Sequence, residues 1–213
     1  MAEAKDLIVK VIPSAMANAF VKRVHYSGKV VPNSQLHFGV FLGKFMHGVM
    51  SFGPPTDKSK LIGLVKNTQW NEFIELNRMA FDEALPRNSE SRALGVAFRM
   101  LKKQAPHIKW VVSFADGTQC GDGTIYRASG FVLTQINKNK GMRIDEAGNV
   151  HSQVTFSAHR PNEMHLFRKM KVMNGFQLRY IRILNPTAEL LVPVIPFSEI
   201  EKQGAKMYLG KRA

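Results

Sequence analysis

The stretch that decides the fold runs from Phe73 to Ser129: FIELNRMAFDEALPRNSESRALGVAFRMLKKQAPHIKWVVSFADGTQCGDGTIYRAS. It opens with Phe73–Phe81, where Phe73, Glu75, Asn77 and Met79 alternate with Ile74, Leu76, Arg78 and Ala80. A period of two predicts a strand. Pro86-Arg87-Asn88-Ser89 breaks that pattern with residues that suit a helix start. Over Glu90–Lys103 the spacing turns helical. Leu94, Ala97, Phe98 and Leu101 form the apolar stripe, Arg92, Arg99, Lys102 and Lys103 lie off it, and Pro106 follows the end. Ile108–Ala115 is a dense apolar strand with Ile108, Trp110, Val112 and Phe114 on one face. Asp116 ends it, a loop with Gly117, Gly121 and Gly123 follows, and Thr124–Ser129 reads as a short helix. Strand, loop, helix, strand, loop, helix is an α/β pattern in which neighbouring strands run parallel.

Outward from this centre, Asp6–Ile12 reads as a strand stopped by Pro13, and Ser14–Val24 as a helix. Leu36–Leu42 and Gly48–Phe52 read as strands joined through a Gly43-Lys44 turn, and Gly53-Pro54-Pro55 opens a polar loop. Towards the C-terminus, Phe131–Ile136, Asn149–Phe156 and Gln177–Leu184 read as strands, and Asn162–Lys171 as a helix. Val192–Phe197, with Pro193 and Pro196, is at most an edge strand. No linker divides the chain, so 1–213 is expected to form a single domain.

The chain has 213 residues, 45% of them apolar, enough for a real core. Thirty basic against 16 acidic residues give a net charge of +14. The excess is even: residues 1–106 and 107–213 each carry 15 basic and 8 acidic residues. Such a balance predicts a polyanionic partner, nucleic acid above all. The densest basic stretch holds Arg160, Arg168, Lys169 and Lys171, the expected DNA contacts. No apolar run is long enough for a membrane span. The single cysteine, Cys120, makes neither an internal disulfide nor, alone, a zinc site. A reducing compartment, the cytoplasm, is the expected location.

Several residues invite a chemical reading. Arg87, Asn88, Ser89, Glu90, Ser91 and Arg92 lie between a strand and a helix N-terminus, where free amides and the helix dipole favour an anion such as a cofactor pyrophosphate. The bland alternative is a turn capped by Asn88 or Ser89. The loop is neither a Walker loop nor GxGxxG. Asp116, at the carboxyl end of a buried strand, suits a general base, and Tyr126 suits a proton donor or substrate contact. Asp116 as a loop cap and Tyr126 as a core ring are the structural readings. His25-Tyr26 places two proton-transfer groups side by side. Arg78, on an apolar strand face, needs a ligand or an ion pair with Asp82, Glu83 or another carboxylate. The histidines show no HExxH spacing. A mixed metal site from His25 and Asp116 stays open.

Taken in order, "ELNRMAF", "PRNSESR", "WVVSFAD" and "GTIYRAS", flanked by "VHYSGKVV", "LHFGVFLG" and "QLRYIRIL", resemble the Mom proteins of bacteriophages over roughly residues 20–185. That resemblance implies a single GNAT-like α/β domain with a central mixed, mostly antiparallel sheet flanked by helices. It implies an enzyme that converts adenine in double-stranded DNA to an N6-carbamoylmethyl form and so protects phage DNA from restriction, in the host cytoplasm. Arg78, Asp116 and Tyr126 then fall at active-site positions with His25 and Tyr26 nearby, and Arg87–Ser91 stands where GNAT proteins keep their phosphate loop. The loop departs from the glycine-rich GNAT pattern. The donor implied is acetyl-CoA, a CoA-like molecule or another small carbamoylmethyl donor, and iron is a further possible participant. The rival expectations are a GNAT N-acetyltransferase acting on a small amine or protein, and a basic nucleic-acid binder without catalysis.

Overall fold

The structure, a computed structural model, describes residues 3–116, 123–139, 141–173, 175–208 and 211–212. The chain divides into two compact units. One gathers Met1–Phe114, Thr124–Thr134 and Tyr180–Val194; the other gathers Ala115–Gly123, Gln135–Arg179 and Ile195–Ala213.

In chain order the elements are β1 (Ile8–Val11), α1 (Ser14–Val24), β2 (Leu36–Leu42), β3 (Phe45–Gly53), α2 (Lys58–Leu61), β4 (Phe73–Phe81), α3 (Ser89–Gln104), β5 (Trp110–Asp116), α4 (Thr124–Ala128) and β6 (Val132–Lys138). Then follow β7 (Met142–Ile144), β8 (Val150–Ser152), α5 (Gln153–His159), α6 (Met164–Lys169), β9 (Lys171–Val172), β10 (Phe176–Ile183), α7 (Ser198–Lys202), β11 (Met207–Tyr208) and β12 (Lys211–Arg212). A seven-stranded sheet has the order β1-β2-β3-β4-β5-β10-β6. The ladders from β1 to β4 are antiparallel and β4 pairs β5 in parallel. It is the mixed α/β sheet the sequence implied.

Local chemistry accounts for these elements. The two residues between Leu42 and Phe45 make the β2–β3 turn, and Gly43 takes a φ of +60° there. Helix α1 buries Ala17, Phe20 and Val21 against Ile12, Val49 and Ala80. A second cluster joins Leu61, Leu64, Val65, Phe73, Trp110, Val112 and Ile181. In it the Phe73 ring lies flat on Trp110, centroids 4.3 Å apart and planes 3° from parallel. Each such ring contributes about 1.5–3 kcal/mol by burial. The predicted α3 stripe is buried: Leu94, Ala97, Phe98 and Leu101, joined by Ala93.

Three expectations need correction. Asn149–Phe156 is not one strand: only Val150–Ser152 is extended, and the Ser152 hydroxyl accepts from the Thr155 amide to start α5. That serine cap turns apparent alternation into a helix start. Asn162–Lys171 is a 3-10 turn at Pro161–Glu163, then α6, with Lys171 already in β9. Val192–Phe197, at most an edge strand by its prolines, holds a single bridged residue, Ile195. In β4 the simple alternation fails. Ser51 pairs with Arg78 and Phe52 with Leu76, so Asn77 is an extra, bulged residue. A bulge shifts the side-chain phase. Arg78 therefore leaves the face of Ile74 and Leu76 and joins Glu75.

The second unit holds the small sheet β8-β7-β9 with α5 and α6. Phe156 and Phe167 fill its centre, rings 5.2 Å apart, with the His151 ring edge-on to Phe156. His151 Nε2 lies 2.8 Å from the Asp145 carboxylate, which pins the β7–β8 hairpin. That bond holds the Asp145 pKa down at about 2.

Candidate active site

The parallel ladder between β4 and β5 is short. Its pairs are Phe73–Trp110, Ile74–Val111 and Glu75–Val112, yet β4 runs on to Phe81 and β5 to Asp116. The strands therefore part after Glu75 and Val112. The bulge at Asn77 falls just beyond the parting. Where the ladder ends, a side chain replaces it: the buried Ser113 hydroxyl donates to the Leu76 carbonyl at 3.1 Å. Such a wedge bares one backbone edge of β4, with its N–H and C=O groups, to a ligand.

Charged groups gather on β4 beside the bulge. The Arg78 guanidinium donates from Nε to the Lys29 carbonyl at 3.0 Å and from Nη1 to the Asn77 carbonyl at 3.1 Å. The ion pair with Asp82 or Glu83 is absent; the Asp82 carboxylate binds His47 Nδ1 at 3.0 Å instead. The Arg78 charge is felt by two neighbours. Burial first, then Arg78, lowers the His25 pKa to about 4, so its imidazole is neutral at pH 7. His25 Nδ1 lies 2.8 Å from Ser27 Oγ, and the ring sits 4.3 Å from that of Tyr26, which is exposed. Burial raises the Glu75 pKa to about 7, against the opposing pull of a hydrogen bond from Asn77 and the charge of Arg78. Asn77 Oδ1 in turn accepts from Ser34 Oγ at 3.1 Å. Gly53, paired with Glu75, makes room: a Cβ there would strike the Asn33 carbonyl and Asn77 Oδ1. His25 thus lies beside Arg78, with Tyr26 against the His25 ring, and Glu75, Asn77 and Ser34 join them.

Tyr126, on α4, reaches the wedge through Ser113. Its phenol oxygen shares a 3.1 Å hydrogen bond with the Ser113 hydroxyl. Its ring stacks on Tyr180 at 4.6 Å and meets Phe131 edge-on at 5.3 Å. It is a half-buried, well-fixed ring with a polar tip. Asp116, the last residue of β5, is half-exposed and belongs to the second unit. Gly117, Cys120 and Gly121 lie outside the described residues; Gly123 takes a φ of +70° before α4.

At the start of α3, Asn88 adopts a left-handed φ of 69° and its side chain makes no cap. Ser89 is buried and donates to the Pro86 carbonyl, while Ser91 donates to that of Asn88. The side-chain cap offered as the bland reading is therefore not formed. Arg87 and Arg92 are exposed beside this end, Arg92 donating to the Lys5 carbonyl, and Glu90 supplies an acid to the first turn. In the second unit Arg160, Arg168, Lys169 and Lys171 are all exposed; Arg160 pairs with Glu163 at 3.6 Å. Among the described residues no three His, Cys, Asp or Glu side chains come together as a metal site. The iron implied by resemblance finds no such cluster there. No described helix is long and apolar enough to cross a membrane.

Residues 6–199 match the Mom protein family. The chain is 34% identical over 191 residues to the methylcarbamoylase Mom of Escherichia phage Mu, covering 86% of this chain and 78% of that protein. The chain belongs to the Mom family. The fold of this Mom-family chain is that of GNAT acetyltransferases. A Bacillus subtilis acetyltransferase in complex with CoA matches with a TM-score of 0.50 at 10% identity, covering 83% of this chain and 98% of that one. The ribosomal-protein-S5-alanine acetyltransferase of Vibrio fischeri matches with a TM-score of 0.51 at 12% identity, covering 85% and 94%.

Sequence reading of this Mom-family chain misses Glu75, Asn77, Ser34 and Ser113. In the alternation of β4, Glu75 passes for an ordinary member. An acid and an arginine three apart in a strand, with asparagine between, is the signal that now stands out. Ser113 inside the apolar run VVSFA is another, because a buried hydroxyl requires a partner.

Proposed function

We propose that the protein is a phage DNA-modification enzyme that converts adenine to an N6-carbamoylmethyl-type derivative. The observation that carries this reading is the 34% identity to a methylcarbamoylase across most of both chains. The fold adds transferase chemistry. The donor is a CoA-type molecule or another small carbamoylmethyl carrier. Its anionic end lies at the start of α3, between Arg87 and Arg92, facing the first-turn amides of the helix. The rest of the donor follows the bared edge of β4 past the bulge. The action is in the host cytoplasm, on double-stranded DNA.

The target amine is a poor nucleophile inside the duplex, so the adenine leaves the stack to reach the wedge. There the N6–carbon bond forms at the donor methylene. The bond from that carbon to its leaving group breaks, the leaving group keeps the electron pair, and the N6 proton passes to a carboxylate. Two carboxylates fit that last role. Asp116 ends β5. Glu75, with a pKa near 7, is poised to accept a proton at the working pH. Arg78 and neutral His25 orient donor and base, and Tyr26 and Tyr126 offer hydroxyls and ring faces.

Nucleoside mass spectrometry of plasmid DNA from expressing cells tests the reading, and unmodified adenine in the presence of folded protein rejects it. Asp116→Asn and Glu75→Gln separate the bases. Loss of the acidic, rising limb of the pH profile, with a fall of about 100-fold in rate near neutrality, marks the residue that takes the proton, and the other variant keeps that limb. The likeness in fold to a CoA-bound acetyltransferase favours one rival, N-acetylation of a small amine or protein. Acetyl-CoA turnover on amines without change to DNA selects it.

A further inference from the structure

At the start of β4, next to the candidate site through Gly53 and Ile74, the first unit holds a cavity of about 310 Å³. It is near the lower end of the ~300–1,000 Å³ range of small-molecule sites. Phe52, Phe73, Leu101 and Ile108 give it an apolar floor, and Lys58 and His107 stand on its rim. Lys58 lies half-buried with its ammonium 4.9 Å from the Phe73 ring centroid and 5.2 Å from that of Trp70. The neighbouring lysines have counter-charges: Lys60 pairs with Asp57, Lys66 with Glu189 and Lys109 with Glu72. Lys58 has no carboxylate within salt-bridge range among the described residues. Burial pushes its pKa down, the mark of an ammonium that has lost water without gaining an anion.

Trp70 is the second feature. Its indole is 59% exposed, on a loop that is firmly tied. The Lys66 amide donates to the Glu189 carbonyl, Thr68 Oγ1 donates to the Val65 carbonyl, and the Gln69 amide donates to the Glu72 carboxylate. A large apolar plate is thus held out beside the Lys58 cation by a fixed loop.

We propose that this place is a nucleotide subsite, in which Trp70 stacks an unpaired base of the DNA strand and Lys58 holds its phosphate. A neutral apolar ligand leaves Lys58 without its anion. An acidic peptide supplies charge but no flat ring for the indole. A nucleotide supplies both. The inference rests on the reading that DNA is the substrate and names a part of the strand other than the target adenine.

The probe is single-stranded oligothymidylate, which contains no adenine and so presents nothing to modify. The chain has two tryptophans, and Trp110 is buried with its Nε1 donating to Thr68 Oγ1, so a binding change in emission reports Trp70. Binding is followed in parallel by anisotropy of a labelled strand at low salt. The expected result is quenched emission at saturation. Trp70→Ala should weaken binding by about tenfold or more, the loss of one base–aromatic stack. Lys58→Gln should weaken it and reduce the slope of log K against log salt by about 0.7. Circular dichroism confirms that both variants fold. Absence of binding, unchanged emission on binding, parent-like affinity in Trp70→Ala, or equal competition by an acidic peptide overturns the subsite. Plasmid modification by the parent protein is scored separately: modified plasmid with parent-like oligothymidylate binding by both variants removes the subsite alone, whereas unmodified plasmid removes the DNA reading.

Discussion

Glu75 and His25 make opposite demands on pH. Glu75 has its pKa raised from 4.5 to about 7, so the folded state favours the neutral acid. Its stabilising share is complete below the ordinary value and is lost as pH rises through about 7. His25 has its pKa lowered from 6.5 to about 4, so the folded state favours the neutral ring. Its share is complete above 6.5 and is lost as pH falls through about 4. Urea unfolding of Glu75→Gln checks the first half. The variant should gain stability relative to the parent between pH 5 and pH 8, because only the parent carries a desolvated carboxylate at the higher pH. A gap that stays constant with pH removes Glu75 from the buried cluster. Both groups lean on Arg78, whose guanidinium is fixed by two carbonyls rather than by an acid. That leaves its charge available to tune its neighbours.

At the scale of elements, the informative event is the parting of β4 and β5. Ser113→Ala removes the hydroxyl that serves both the Leu76 carbonyl and Tyr126. The orphaned carbonyl predicts a loss of about 1–3 kcal/mol in denaturant unfolding, with Ser113→Thr losing less. Helix α3 gives a second check. Asn88 sits at φ 69°, so Asn88→Ala should cost about 1–2 kcal/mol, while Asn88→Gly should be neutral or stabilising in thermal unfolding. The existence of β4, α3 and β5 was readable from period and punctuation, since each buries one face and the pattern records it. The bulge was not. It depends on how many residues of β3 lie opposite β4, and no local feature of FIELNRMAF states that number. For the same reason NVHSQVTF passes for a strand: the Ser152 cap decides its second half, and a serine suits either conformation.

The whole molecule carries +14, and the second unit exposes Arg160, Arg168, Lys169 and Lys171. If these touch phosphates, changing all four to Ala should flatten the salt dependence of duplex binding by roughly 0.9 in slope for each phosphate no longer neutralised, or about 3–4 in all. An unchanged slope in filter binding would move the DNA to another surface. By itself the amino-acid order determined the α/β class, the central strand–helix–strand unit, the basic character and the resemblance to Mom proteins. All of these are written in local period, composition and short motifs. Only the tertiary structure decided that Glu75 joins Arg78 and His25, that Ser113 bridges the wedge to Tyr126, and that Lys58 lies half-buried beside Trp70. Those facts depend on strand register and on which distant side chains share a desolvated space, and neither is a property of any one segment.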